Sequence, residues 1–80
     1  MMKIKNLTQM KTGEKGRIVK IEGGSSLEKR LSSLGIGLGK HVLKMSAFVL
    51  RGPVAVRVGR TVIALGHGMA IKVFVEQENK

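Results

Sequence analysis

The two histidines are the first residues to consider for chemistry, because imidazole binds metals and titrates near neutral pH. His41 and His67 lie far apart in the sequence, and the nearest acids are Glu28 and Glu76, neither at a spacing typical of metal ligands. The chain contains no cysteine. We therefore predict no metal site within one chain and no cofactor. His41 and His67 remain the candidate metal ligands, including for a metal that bridges two copies of the chain.

Nucleophilic catalysis of the Ser-His-Asp type is excluded, because the sequence has no aspartate. Three of the five acidic residues, Glu14, Glu22 and Glu28, fit the more ordinary roles of turn, strand-end and helix-cap residues. The sequence therefore predicts a protein that is not an enzyme.

A glycine-rich run at 35–40 superficially suggests a phosphate-binding loop. Its pattern, Gly-Ile-Gly-Leu-Gly-Lys, matches neither the dinucleotide-binding nor the P-loop motif, and it follows a predicted helix instead of preceding one. We interpret the run as a bend that leads the chain out of the helix.

Positive charge dominates the composition, with 15 Lys and Arg against 5 Asp and Glu and a formal net charge of +10. Such a surface favours polyanions: nucleic acid, an anionic membrane face or an acidic protein. The aromatic residues are only two phenylalanines, Phe48 and Phe74, which is a poor supply for stacking nucleotide bases. Nucleic-acid binding is not expected, although a basic nucleic-acid-binding module is kept as the alternative.

The 80 residues show no break in composition, which indicates one domain spanning 1–80 with a small core. No apolar run approaches the roughly 20 residues needed to cross a bilayer, and no leader pattern stands at the N-terminus. We therefore expect a cytoplasmic protein without membrane insertion.

One helix is predicted between Gly23 and Gly39. Ser25 and Glu28 have the spacing of a capping box at its start, and Gly35 would end it in a left-handed conformation.

The face of this helix toward the core is predicted to be a stripe of three leucines, Leu27, Leu31 and Leu34. Lys29 and Arg30 would then face away from the core. Such a short amphipathic helix must pack against something to be stable.

The rest of the chain reads as short strands. Residues 1–12 look like a basic lead-in with one helical turn near Leu7, and residues 76–80 look like a frayed polar tail. The predicted strands cover 17–22, 41–50, 54–58, 61–65 and 71–75.

Within the second strand, alternation places Leu43 and Met45 on one side and Lys44 with Phe48 on the other, outer side. Gly59-Arg60 is predicted to be a two-residue hairpin loop that pairs Val58 with Thr61. Five short strands and one helix predict a mainly β protein, a strongly bent antiparallel sheet closed into a partial barrel.

Exposed apolar side chains are the remaining candidates for function, because grouped apolar exposure on a small domain usually marks a contact surface. The sequence suggests four of them: Phe48, Leu50, Pro53 and Phe74.

Three runs of the sequence together resemble the FeoA family, the small cytoplasmic component of bacterial ferrous iron uptake. They are Leu7-x-x-Met10-x-x-Gly13-x-x-Gly16-x-Ile18-x-x-Ile21, then Arg30-Leu31-x-x-Leu34-Gly35-Ile36-x-x-Gly39, and finally Arg51-Gly52-Pro53-Val54-x-Val56-x-Val58 with Ile63-Ala64-Leu65-Gly66-x-x-Met69-Ala70-x-x-Val73-x-Val75.

The resemblance implies an SH3-like small, partly open barrel of five strands with an inserted helix and no catalytic activity. It also implies a partner, the membrane ferrous iron transporter FeoB with its cytoplasmic GTPase domain. The same domain type is appended to iron-dependent repressors, so a metal-responsive regulatory domain is a further alternative.

We expect the partner to bind where exposed apolar residues lie beside cations: on the outer side of the helix, at its exit, and at the end of the long strand with the turn that follows it. The residues predicted for this contact are Lys29, Arg30, Ile36, Phe48, Arg51 and Pro53.

Overall fold

The computed structural model of the chain describes residues 2–47 and 52–78. Within these residues the elements are β1 (Met2–Asn6), β2 (Lys15–Ile21), α1 (Gly24–Ser32), β3 (His41–Ala47), β4 (Val54–Val58), β5 (Thr61–Leu65), α2 (His67–Ala70) and β6 (Val73–Glu78).

The strands form one antiparallel sheet in the order β1-β6-β2-β3-β4-β5. The predicted class, mainly β with a short inserted helix, is confirmed, but the described sheet has six strands where five were expected. The sixth is β1, which pairs with β6 from Met2↔Glu78 to Asn6↔Phe74. The sequence reading of 1–12 as a basic lead-in therefore missed a strand at its start, and the prediction of a frayed tail was wrong for residues 76–78. The two segments pair with each other across the length of the chain.

The β4–β5 hairpin has the predicted register, with Val58 opposite Thr61 and Val54 opposite Leu65. Gly59 begins the turn with a φ of 61°, a conformation that glycine adopts without strain. Val54 and Leu65 are buried, so the apolar pattern and the turn specify the same pairing.

The start of α1 differs from the prediction. Gly23 is the N-cap, with a φ of 122°, and no side chain caps the helix. The capping box between Ser25 and Glu28 therefore does not form, because the helix begins at Gly24 and Ser25 already lies inside its first turn.

The end of α1 is built as expected around Gly35, which has a φ of 91°. The Gly35 N–H donates to the Ser32 carbonyl and the Ile36 N–H to the Leu31 carbonyl, both at 2.9 Å. These two bonds are those of a Schellman motif. Leu31 is buried, but Leu34 is 43% exposed, so the third leucine of the predicted stripe does not contact the core.

The core is formed by inward-facing side chains of β2 to β6, together with residues of the two helices and of the connecting segments. It consists of Leu7, Met10, Ile18, Ile21, Leu31, Ile36, Val42, Val54, Val56, Ile63, Leu65, Ala70, Val73 and Val75. The last predicted strand, 71–75, was placed to begin too early: Ile71 follows α2 and is exposed, because β6 begins only at Val73.

Strand β3 presents its faces opposite to the prediction. Val42 and Lys44 point into the core and are almost fully buried, whereas Leu43 is half-buried and Met45 is exposed. The expectation that Lys44 lies on the outer side was therefore wrong. Its aliphatic stem fills core space, and its ammonium finds partners inside the protein.

Candidate partner-binding surfaces

The exposed face of α1 carries the two cations that the sequence places there. Lys29 and Arg30 lie in the last turn of the helix and are exposed. Positive charge near a helix C-terminus is favourable, because the last carbonyls leave a partial negative charge there. Both side chains are therefore free to meet a partner, and their role in binding stays a prediction.

Ile36 does not belong to this surface. Its exposed area is 0%, and it is part of the core together with Leu31. The Schellman motif at Gly35 explains this, because an apolar residue directly after the left-handed residue commonly packs back against the last turn. The expectation that Ile36 contacts a partner is therefore wrong for the folded chain.

Pro53 is exposed, as predicted, but the topology separates it from α1. The helix joins β2 to β3, whereas Pro53 stands in the connection from β3 to β4, at the other end of β3. A seven-residue strand is roughly 20 Å long. The predicted surface is therefore divided along β3. Phe48 and Arg51 belong to this same connection and lie outside the described residues, as does Leu50.

Phe74 is half-buried on the outer side of β6, and the Lys20 ammonium lies 6.0 Å from its ring centroid. This geometry is at the limit of a cation–π contact.

The histidines occupy the first positions of two elements. His41 begins β3 and is exposed, and His67 begins α2 and is half-buried. Across residues 2–47 and 52–78, no group of three or more His, Asp or Glu side chains is arranged to hold a metal ion.

The most unusual polar group in the described chain is the Lys44 side chain, which is 1% exposed. Its Nζ donates to the Leu7 carbonyl at 2.7 Å and to the Met10 carbonyl at 2.8 Å. Both carbonyls belong to the segment between β1 and β2. The lysine therefore attaches that segment to the middle of β3 from inside the protein.

The backbone of the same residue adds to this attachment. The Lys44 N–H donates to the Glu14 carbonyl at 2.9 Å, and the Lys44 carbonyl accepts from the Gly13 N–H at 2.8 Å. The Glu14 carboxylate accepts from the Lys11 N–H at 2.6 Å and lies 3.2 Å from the Lys5 ammonium. Residues 5–14 are thus ordered around one buried cation and one partly buried carboxylate.

The titration of these two groups follows from their surroundings. Burial lowers the pKa of Lys44 below its ordinary value, because the ammonium loses its hydration, and the nearby Glu14 carboxylate opposes this change. The pKa of Glu14 is also lowered, chiefly by the hydrogen bond from the Lys11 N–H and further by Lys5. Sequence reasoning missed this arrangement. The one sequence signal for a buried Lys44 is that it lies two residues after Val42 and therefore on the same side of β3.

A basic groove lies on the opposite, outer side of the sheet, with a volume of about 430 Å³. We call it the outer groove, and it is lined by Lys15, His41, Val42, Leu43, Arg57 and Gly59. The register places Lys15 opposite Leu43 and Leu43 opposite Arg57, so these three residues form one row across β2, β3 and β4. In this row the half-buried Leu43 lies between two exposed cations, one on each side.

The family comparison covers almost the whole chain. Residues 5–77 match the model of the FeoA domain. A Methanocaldococcus jannaschii protein named as a candidate Fe(2+) transport protein A is 36% identical over 69 residues, which span 82% of this chain and 78% of that protein.

Solved structures show the same fold. A crystal structure of an iron uptake regulatory protein, FeoA, superposes with a TM-score of 0.82 at 32% identity, covering 91% of this chain and 95% of that one. The Stenotrophomonas maltophilia FeoA in complex with zinc superposes with a TM-score of 0.72 at 21% identity, covering 90% of this chain and 94% of that one. That protein is described as a prokaryotic SH3 domain protein and suggested as a ferrous iron transport activating factor. The SH3-like fold is therefore confirmed.

The described part of the chain contains no helix that is long and apolar enough to cross a membrane.

Proposed function

This chain belongs to the FeoA domain family, a family of small accessory domains in ferrous iron transport, and we propose on that basis that it is a non-catalytic regulator of ferrous iron uptake. It acts in the cytoplasm by binding the cytoplasmic part of the membrane transporter FeoB. The observation that carries the proposal is the family match over residues 5–77.

The structure supports a role in binding. The described residues form a small sheet with cations displayed on several surfaces, and the net charge of the chain is +10. A cationic surface accelerates association with an acidic partner and orients it.

We assign first contact with the transporter to the exposed face of α1, where Lys29 and Arg30 lie side by side. The helix is held by Leu31 and by the Schellman motif, so it presents these cations on a fixed scaffold. Pro53 remains a candidate for a separate contact beyond the far end of β3, and Phe48 and Arg51, which lie outside the described residues, remain candidates from the sequence.

The test is capture of detergent-solubilised FeoB by the immobilised chain. The Lys29→Glu/Arg30→Glu variant is expected to bind at least tenfold more weakly than wild type, a loss of about 1.4 kcal/mol. The matched control is Lys3→Glu/Lys11→Glu, which changes the net charge equally at two exposed lysines outside α1. Because glutamate at a helix C-terminus weakens the helix, Lys29→Gln/Arg30→Gln should show the same direction with a smaller loss.

Absence of any capture of the transporter by the wild-type chain would contradict the proposed function. Equal losses in the α1 variant and in its control would reject α1 as the contact and leave only a general effect of charge.

A further inference from the structure

The outer groove is a second surface whose chemistry the proposed function does not use. Its row of Lys15, Leu43 and Arg57 crosses three neighbouring strands. Neighbouring strands are about 4.8 Å apart, so the backbone positions of the two cations are roughly 10 Å apart with the leucine between them. The groove is open to solvent along this row.

The cations of the groove are not neutralised from within the described chain. The carboxylates of Glu14, Glu22 and Glu76 are paired with Lys5, Lys20 and Arg17. Among the side chains that the structure describes, which do not include that of Glu78, no carboxylate lies within 4.0 Å of the charged group of Lys15 or Arg57. These two charges are therefore available to an anionic ligand.

We propose that the outer groove binds an extended acidic segment of a protein partner, with carboxylates paired to Lys15 and Arg57 and an apolar side chain on Leu43. Alternate side chains of an extended segment lie on one side, about 7 Å apart. Glutamate, an apolar residue and glutamate at three alternate positions therefore place the apolar side chain between two carboxylates about 14 Å apart, a separation that two long, diverging basic side chains can meet. Arginine pairs with a carboxylate through two parallel hydrogen bonds, which adds geometric selectivity.

An acidic peptide fits the groove better than a nucleic acid does. The row is apolar at its centre, where Leu43 can receive an aliphatic side chain. The lining residues include no Phe, Tyr or Trp, so the imidazole of His41 is the one ring in the lining on which a base could stack. A phosphate backbone would also leave the apolar centre of the row without a partner.

The inference rests on the proposed function in one respect, that the ligand is a protein. It can be tested without the transporter. The probe is a synthetic peptide, Glu-Ser-Leu-Ser-Glu with blocked ends, whose two glutamates and central leucine lie on one side when it is extended. Its matched control replaces both glutamates with glutamine. Binding is followed by the amide NMR shifts of the ¹⁵N-labelled chain at low salt.

The acidic peptide is expected to shift the amides around Lys15, Leu43 and Arg57, and the glutamine peptide is not. The Lys15→Gln/Arg57→Gln variant should bind the acidic peptide at least tenfold more weakly than wild type. Lys3→Gln/Lys11→Gln removes the same charge from two other exposed lysines and should bind nearly as well as wild type. Raising the salt from 0.05 to 0.2 M should weaken the binding, because screening shortens the range of these interactions.

Three results would overturn the inference: shifts of equal size with the glutamine peptide, equal binding by the groove variant and its control, or no binding at all. Tighter binding of a single-stranded oligonucleotide to the same row would assign the groove to nucleic acid instead. Peptide binding without capture of FeoB would reject the proposed function and keep the inference. Capture of FeoB without peptide binding would keep the proposed function and reject the inference.

Discussion

The two faces of β3 hold neighbouring residues in opposite situations. Lys44 points inward and is buried with its ammonium bonded to two carbonyls, whereas Leu43 points outward between the exposed cations of the outer groove. The buried charge attaches the segment between β1 and β2, and the exposed charges have no carboxylate partner among the side chains that the structure describes. Basic residues of this chain thus occupy two kinds of position: Lys44 attaches one segment to another inside the protein, and the cations of the outer groove are displayed on the surface, where we propose that they meet a partner.

Substitutions at the inward and outward positions should therefore change the free energy of unfolding by very different amounts. A buried charged group that is hydrogen-bonded contributes by satisfying polar groups that have no access to water. An exposed cation contributes little to stability, because water already solvates it. Stability measurements can therefore separate the inward face from the outward face.

The largest effect is expected at Lys44. Lys44→Ala removes the donor to the Leu7 and Met10 carbonyls, leaves a cavity, and should lower the free energy of unfolding by about 3 kcal/mol. Lys44→Met keeps most of the side-chain volume and removes the buried charge, so its loss should be smaller, about 1–2 kcal/mol. The measurement is urea unfolding followed by circular dichroism.

The control for Lys44 is Arg57→Ala on the outer face, which should change the free energy of unfolding by no more than about 0.5 kcal/mol. Equal losses at Lys44 and Arg57 would contradict the distinction between the two faces.

The next effect is expected at Gly16, which lies on the inner side of β2 beside Lys15 on the outer side. A Cβ at Gly16 would lie 2.8 Å from both Cβ and Cγ2 of Val75 in β6. Gly16→Ala therefore forces two packed strands apart and should cost about 1–3 kcal/mol. Thermal unfolding should place its Tm below that of Lys15→Ala, the outward control. A Tm equal to the control would mean that the inner face tolerates added volume.

Sequence reasoning succeeded where pattern and turn chemistry agreed. The β4–β5 register follows from alternating apolar residues around Gly59, and the end of α1 follows from Gly35. Both signals are local, because each lies within about a dozen residues. The family resemblance also identified the SH3-like fold.

The errors have a different physical cause, since they concern contacts between distant parts of the chain. Strand β1 exists because it pairs with β6, and a polar segment such as Met2–Asn6 gives no sign of that pairing. Lys44 was placed outside because an ammonium is seldom buried, and the carbonyls that satisfy it come from residues more than 30 positions away. Ile36 was placed outside because it follows the helix in a glycine-rich run, but the left-handed Gly35 turns the chain so that Ile36 packs against the last turn of α1.

The smallest change in stability is expected at Glu14. Its side chain is 32% exposed, which is intermediate between the buried Lys44 and the exposed cations of the outer groove. Its carboxylate accepts from the Lys11 N–H and pairs with Lys5, and these contacts lower its pKa below 4.5. Glu14→Gln weakens both contacts and should lower the free energy of unfolding by about 1 kcal/mol or less at pH 7. Glu28→Gln removes the same charge from an exposed position of α1 and serves as the control.

The pH dependence of the stability difference between wild type and Glu14→Gln tests the direction of the pKa shift of Glu14. Because the folded pKa is below the unfolded value, the stabilisation by the Glu14 carboxylate is complete above the unfolded pKa of about 4.5 and is lost as the pH falls through the folded pKa. The stability difference between wild type and Glu14→Gln, corrected by the Glu28→Gln result, should therefore be constant from pH 7 to about 5 and shrink below 4.5. Urea unfolding at a series of pH values measures it. A difference that grows on acidification would mean that the folded state favours the protonated carboxyl, and that Glu14 belongs with the buried groups of the inner face.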